Sequence, residues 1–103
     1  MDHTRAMTRL SAVLVALFVL GCATSPPVQE MSDARQAIAA AEDADAVRFA
    51  PTLLGDARRY LGEAETHIRN SSFNLARTNA IRAKLSAVDA LQASQAASQS
   101  ADN

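Results

Sequence analysis

Few side chains in this 103-residue sequence could carry out chemistry. The single cysteine, Cys22, follows an apolar run, and its thiol could act as a nucleophile or receive a covalent group. His67 is the only histidine after it, and no serine lies in a nucleophile motif beside a plausible base. Glu42, Asp43 and Asp45 could hold a divalent cation through oxygen atoms, although the solvated end of a helix explains the same cluster. We therefore expect no enzyme and no cofactor, with His67 as a half-buried packing residue.

The segment before Cys22 has the organisation of a secretory leader. Arg5 and Arg9 lie in a polar start, and the uncharged stretch 10–21 follows them. This stretch is well short of the ~20 residues that a helix needs to cross ~30 Å of hydrocarbon. We expect a cleaved signal peptide over residues 1–21 rather than a transmembrane helix. A start at Met7 would give the same leader with a shorter charged region.

The four residues at the end of the leader, Val19, Leu20, Gly21 and Cys22, resemble the lipobox of bacterial lipoproteins. The resemblance implies cleavage between Gly21 and Cys22, a diacylglyceryl group on the thiol and an acyl chain on the new amino terminus. It also implies sorting to the periplasmic face of the outer membrane, because Ala23 stands where the inner-membrane retention signal is commonly aspartate.

Composition and charge restrict the classes of protein to consider. The formal net charge is −1, with no clustered basic face of the kind that nucleic acid requires. A single cysteine excludes an intrachain disulfide. The sequence after Cys22 is rich in alanine and poor in strand-type runs, so we expect an all-α fold, a small three-helix bundle or a helical hairpin plus one short helix.

The boundaries of the elements follow from prolines, caps and periodicity. Residues 22–31 hold two adjacent prolines and predict a tether. An alanine-rich helical domain is expected over 32–92, with Ser32 as the first cap and Ile38 as the only large inward residue of the first helix. Residues 93–103 predict a disordered tail.

The second predicted helix, 51–69, opens at Pro51 and has the clearest amphipathic stripe. The members of the stripe are Leu53, Ala57, Tyr60, Leu61, Ala64 and Ile68. Asn70 is a candidate for the left-handed position at the end of this helix. Gly55 and Gly62 lie on the opposite face, where they indicate either close approach of another helix or tolerated surface glycines.

The third predicted helix runs from about residue 73 past 91 and places Ile81 and Val88 on its apolar side. Arg77 and Lys84 lie on the same side of this helix. They could form a site for an anion or a partner, or their stems could run along the apolar stripe and place the two charges at its edge. Because the predicted core is thin, we expect Leu61, Ile81 and Val88 to contact a second copy or another envelope protein, with both charges at the rim.

The run from residue 32 to about 93 resembles a family of small alanine-rich bacterial lipoprotein domains of unknown function. The residues that carry the resemblance are ARQAIAAAE at 34–42 and FAP at 49–51. Ser71, Ser72 and Phe73 stand where members often have a Gly-Asp-Tyr turn.

This resemblance implies no activity, and we expect a lipid-anchored envelope protein with a structural or interaction role. The helix-turn-helix with Tyr60, Ala64, Phe73, Ala76 and Ala80 is also similar to a tetratricopeptide unit. An adaptor that presents a helical groove to a peptide or an envelope complex is therefore the alternative, although such arrays usually need about three repeats.

Overall fold

A computed structural model describes residues 25–103, which form four helices. They are α1 (Val28–Asp43), α2 (Ala46–Phe49), α3 (Pro51–Arg69) and α4 (Phe73–Asp102). No strand occurs in this range. The prediction of an all-α fold, a small bundle of three helices, is confirmed, and α2 is an additional short helix between the first two of them.

The three long helices run up, down and up. Arg35 pairs with Glu65 at 3.6 Å and Glu42 pairs with Arg58 at 3.5 Å, so α1 and α3 are antiparallel. The start of α4 returns to the start of α1, where Arg77 Nε donates to Glu30 Oε1 at 3.2 Å. The end of the bundle that holds the starts of α1 and α4 also holds the turn between α3 and α4.

Buried residues recur along each long helix at steps of three and four, which is the spacing of a packed helical seam. The series are Met31, Ala34, Ile38 and Ala41 in α1; Leu54, Ala57 and Ala64 in α3; and Ala76, Ala80, Ala83, Ala87, Ala90 and Ser94 in α4. Half-buried Leu61 completes the series in α3 and contacts both core clusters.

α4 is the central helix because it packs against both α1 and α3, which contact each other less. Its inward side chains are almost all methyl groups, so two neighbouring helices can approach its axis closely. Leu54 is the largest fully buried side chain in residues 25–103. The core is therefore thin and is built from many small contacts.

α1 begins four residues before the predicted cap, Ser32, so the tether predicted over 22–31 is shorter than expected. Pro27 occupies the cap position, and its carbonyl accepts a hydrogen bond from Met31 N at 3.0 Å. Proline is suited to a helix start because its φ is already restricted. Met31 is buried, so Ile38 is not the only large inward residue of α1.

The turn between α3 and α4 places its left-handed residue one position later than predicted. Ser71 has φ 59°, whereas Asn70 has φ −91°. Ser72 N donates to His67 O at 2.8 Å and Ser71 N donates to Ile68 O at 3.0 Å. These two bonds form a Schellman motif, in which the left-handed residue is the one after the helix cap.

The disordered tail predicted for 93–103 is wrong, because α4 continues to Asp102. Ser94 is fully buried, and its hydroxyl donates to Ala90 O at 2.7 Å. The series of small inward residues continues through Ser94, and α2 packs against α4. Packing therefore extends a helix whose sequence lacks large apolar residues after Leu91.

The close packing on α4 can be tested with Ala87→Leu. Ala87 is fully buried in the cluster that joins α1, α3 and α4. Because a larger side chain would force the helices apart, we expect the free energy of unfolding to fall by about 1–3 kcal/mol. Urea denaturation followed by circular dichroism measures the change. Ala96→Leu, at an exposed position of the same helix, is the control and should change it by less than about 0.5 kcal/mol. Equal losses in the two variants would contradict close packing on α4.

Candidate functional site

The predicted lipidation and cleavage site, Gly21 and Cys22, lies outside the described residues, as does the rest of the predicted signal peptide. No helix within 25–103 is long and apolar enough to cross a membrane.

The first described residues, 25–30, are tied to the bundle at the starts of α1 and α4. Pro27 is fully buried, and the guanidinium of Arg77 contacts three groups. Arg77 Nε donates to Glu30 Oε1 at 3.2 Å, Nη2 to Ser25 O at 3.5 Å and Nη1 to Asn74 Oδ1 at 3.3 Å. Arg77 thus connects α4 to the first described residue of the chain. Its charge pairs with Glu30 at the end of the bundle, and the contact of Arg77 with a partner stays a prediction.

The outer face of α4 carries Ile81, Leu85 and Val88, spaced by four and three residues along one side of the helix. Ile81 is 44% exposed, Leu85 is 58% exposed and Val88 is half-buried. These three residues, here called the outer seam, point away from the alanine core. Sequence reasoning missed Leu85, although its spacing from Ile81 and Val88 was a signal that could have identified it.

Charged side chains with no ion pair among residues 25–103 flank the outer seam. They are Arg82, Lys84 and Asp89, and the positions of Lys84 and Asp89 are exposed. By contrast, Arg35, Arg58 and Arg59 all pair with carboxylates. The outer seam is therefore an exposed apolar strip with charged residues at its edges.

Leu61 is separate from the outer seam. It lies on α3 and packs against both core clusters, so it joins the two halves of the core. Ala57 and Ala64, on the same stripe, are fully buried. The rest of the stripe, Leu53, Tyr60, Leu61 and Ile68, is half-buried. Met31, in the part of α1 that begins earlier than predicted, belongs to the core cluster against which Leu61 and Ile68 pack.

The acidic cluster at the end of α1 is divided in the structure. Glu42 pairs with Arg58, while Asp43, Asp45 and Asp102 line an open depression between α2 and the end of α4, together with Arg48. Within the described part of the chain, no group of three or more histidine, cysteine, aspartate or glutamate residues could hold a metal ion. His67 is half-buried, as expected.

The glycine face of α3 is a solvated surface. A Cβ atom added to Gly55 or Gly62 would meet nothing within 4 Å. Arg59, beside them, pairs with Asp56 at 3.6 Å and with Glu63 at 3.1 Å. Hydrogen bonds with Tyr60 and Glu63 raise the pKa of Arg59, which keeps its charge.

The architecture of residues 25–103 is a small helical module, and comparison with known families identifies it. Residues 29–103 match the domain of unknown function DUF4398, so the chain belongs to that family. The comparisons with curated proteins and with solved structures give no match.

Filling the glycine positions should stabilise the monomer. Gly55→Ala and Gly62→Ala are each expected to raise the free energy of unfolding by about 0.5–1 kcal/mol, because neither glycine has positive φ and alanine favours helix. Thermal denaturation measures the change, and Ala39→Gly, on the exposed face of α1, should lose a similar amount. A loss of stability in the alanine variants would instead mean that another helix occupies this face.

Proposed function

We propose that this protein is a lipoprotein of the bacterial cell envelope with a non-catalytic structural or protein-interaction role. Its anchor is a diacylglyceryl group on Cys22, with an acyl chain on the amino group, and no other cofactor is involved. The observation that carries the proposal is the position of Cys22, between a charged and apolar leader and the buried Pro27. A lipid on Cys22 would therefore lie next to a folded module.

The proposed location is the periplasmic face of the outer membrane. The residue after Cys22 is Ala23, not the aspartate that commonly retains such proteins in the inner membrane. Lipidation of Cys22 would account for a single cysteine that has no second cysteine to pair with.

The proposed interaction surface is the outer seam of α4. Large apolar residues on a small helical bundle normally face inward, whereas Ile81 and Leu85 face outward while alanines fill the core. Contact with a second copy or with another envelope protein would cover these side chains, and Lys84 and Asp89 would lie at its edge.

The alternative, a tetratricopeptide-like adaptor, has less support. Its peptide would lie in the groove of the α3–α4 hairpin, close to Ala64 and Ala80. Met31 of α1 is buried in one cluster with these two residues, so α1 occupies that side of the hairpin.

The anchor is tested by Cys22→Ser, which we expect to accumulate as an uncut precursor. The serine hydroxyl does not replace the thiol that accepts diacylglyceryl in the proposed processing. Incorporation of labelled fatty acid and the size of the protein on a gel measure the outcome. Ala23→Asp is the matched control: it should still be lipidated and cut, but should fractionate with the inner membrane. Normal processing of Cys22→Ser would contradict the anchor.

The interaction surface is tested by photo-crosslinking in intact cells. A photoreactive residue at Leu85 should give a discrete adduct, and the same residue at Ala39, exposed on α1, should give much less. Mass spectrometry of the adduct distinguishes a second copy from another protein. Equal labelling at the two positions, or no adduct at Leu85, would exclude the outer seam as the contact.

A further inference from the structure

The structure limits how far the folded module can lie from the proposed lipid, and this inference rests on the proposed lipidation of Cys22. Cys22 and Pro27 are five residues apart, so the chain between them spans at most about 18 Å. Ser25 O accepts a hydrogen bond from Arg77, which leaves three residue steps, at most about 11 Å, between Cys22 and the first described residue. The end of the bundle near Ser25 must therefore lie close to the headgroup region.

Two large apolar side chains are exposed at this end. Val28, in the first turn of α1, is 72% exposed, and Leu75, in the first turn of α4, is 56% exposed. The contacts of Arg77 with Ser25 and Glu30 hold the two helix starts side by side. Neither Val28 nor Leu75 belongs to the core clusters, and neither lies in the outer seam.

The two ends of the bundle differ in net charge: at the anchored end Arg69 and Arg77 balance Glu30 and Asp33, whereas carboxylates dominate the other end. Arg69 is exposed in the last turn of α3, beside the anchored end, and within residues 25–103 it pairs with no carboxylate. Asp43, Asp45 and Asp102 gather at the opposite end, with Arg48. An anionic bilayer attracts a basic group near its surface and repels carboxylates.

We propose that the module stands end-on upon the phospholipid surface that holds its lipid, with Val28 and Leu75 in the interfacial region and Arg69 against lipid phosphates. The long axis of α4 then points away from the membrane. At a rise of about 1.5 Å per residue, the 30 residues of α4 extend about 45 Å. The outer seam is thereby held within a few nanometres of the bilayer.

The test uses the full lipidated protein in vesicles of phosphatidylethanolamine and phosphatidylglycerol. Because the lipid blocks Cys22, a nitroxide can be attached through Asn70→Cys, at the anchored end, or through Gln99→Cys, near the far end of α4; both positions are exposed. Power-saturation spectroscopy measures collision with oxygen, which enters lipid, and with a nickel complex, which stays in water. We expect the label at position 70 to lose nickel accessibility relative to the label at position 99.

A second variant tests whether Leu75 contributes. Leu75→Asp, combined with the label at position 70, should restore nickel accessibility, whereas Val47→Asp, at an equally exposed apolar residue of the opposite end, should not. Circular dichroism melts confirm that both variants fold. Equal accessibility at positions 70 and 99 in lipidated protein would overturn the end-on contact.

Mass spectrometry of the same sample separates this result from failure of the proposed function. A protein that carries the lipid but shows no contact disproves only the orientation. Absence of the lipid from Cys22 disproves the anchor and, with it, the orientation that depends on it.

Discussion

Alanine at successive core positions of α4 allows α1 and α3 to pack closely on the same helix. A methyl group projects little from the helix surface, so the neighbouring backbones can approach and make many weak dispersion contacts. Leu54, Met31 and Ile38 supply the few large side chains that fill the remaining space. A core of this kind depends more on the regular spacing of small residues than on any one large residue.

This core has consequences for function. Closely packed helices leave little interior volume, and in residues 25–103 the acidic groups lie at the surface, where Glu42 and Glu65 pair with arginines of neighbouring elements. Exposed pairs of this type stabilise a fold by only about 0–1 kcal/mol each, but they help to fix the antiparallel register of α1 and α3. The features left for binding are therefore external: a helix face, a bundle end and a covalent anchor.

The sequence predicted those features whose cause is local. Pro51 opens α3 as predicted, because proline suits the first position of a helix, and Ala50 before it is non-helical with φ −145° and ψ 54°. The start of α1 and the end of α4 were predicted wrongly because tertiary contacts set them. Met31 is buried in one cluster with Ala64 and Ala80, and Ser94 is fully buried. The composition around these two residues does not predict that either is buried. The long-range contact of Arg77 with Glu30 was not predicted, because it has no signature in the spacing of either residue.

The outer seam was only partly predicted because α4 reverses the usual relation between size and burial. An amphipathic reading put Ile81 and Val88 on the apolar side of the helix, where a second copy or another protein was expected to cover them, and it left Leu85 without a role. In the structure the alanines occupy the inside and Leu85 is 58% exposed. One face of α4 therefore requires small residues because two helices must approach it, whereas the other face is free of that constraint. Large apolar residues on the unconstrained face contribute little to the stability of the monomer, so their presence there favours a role in contact with another molecule.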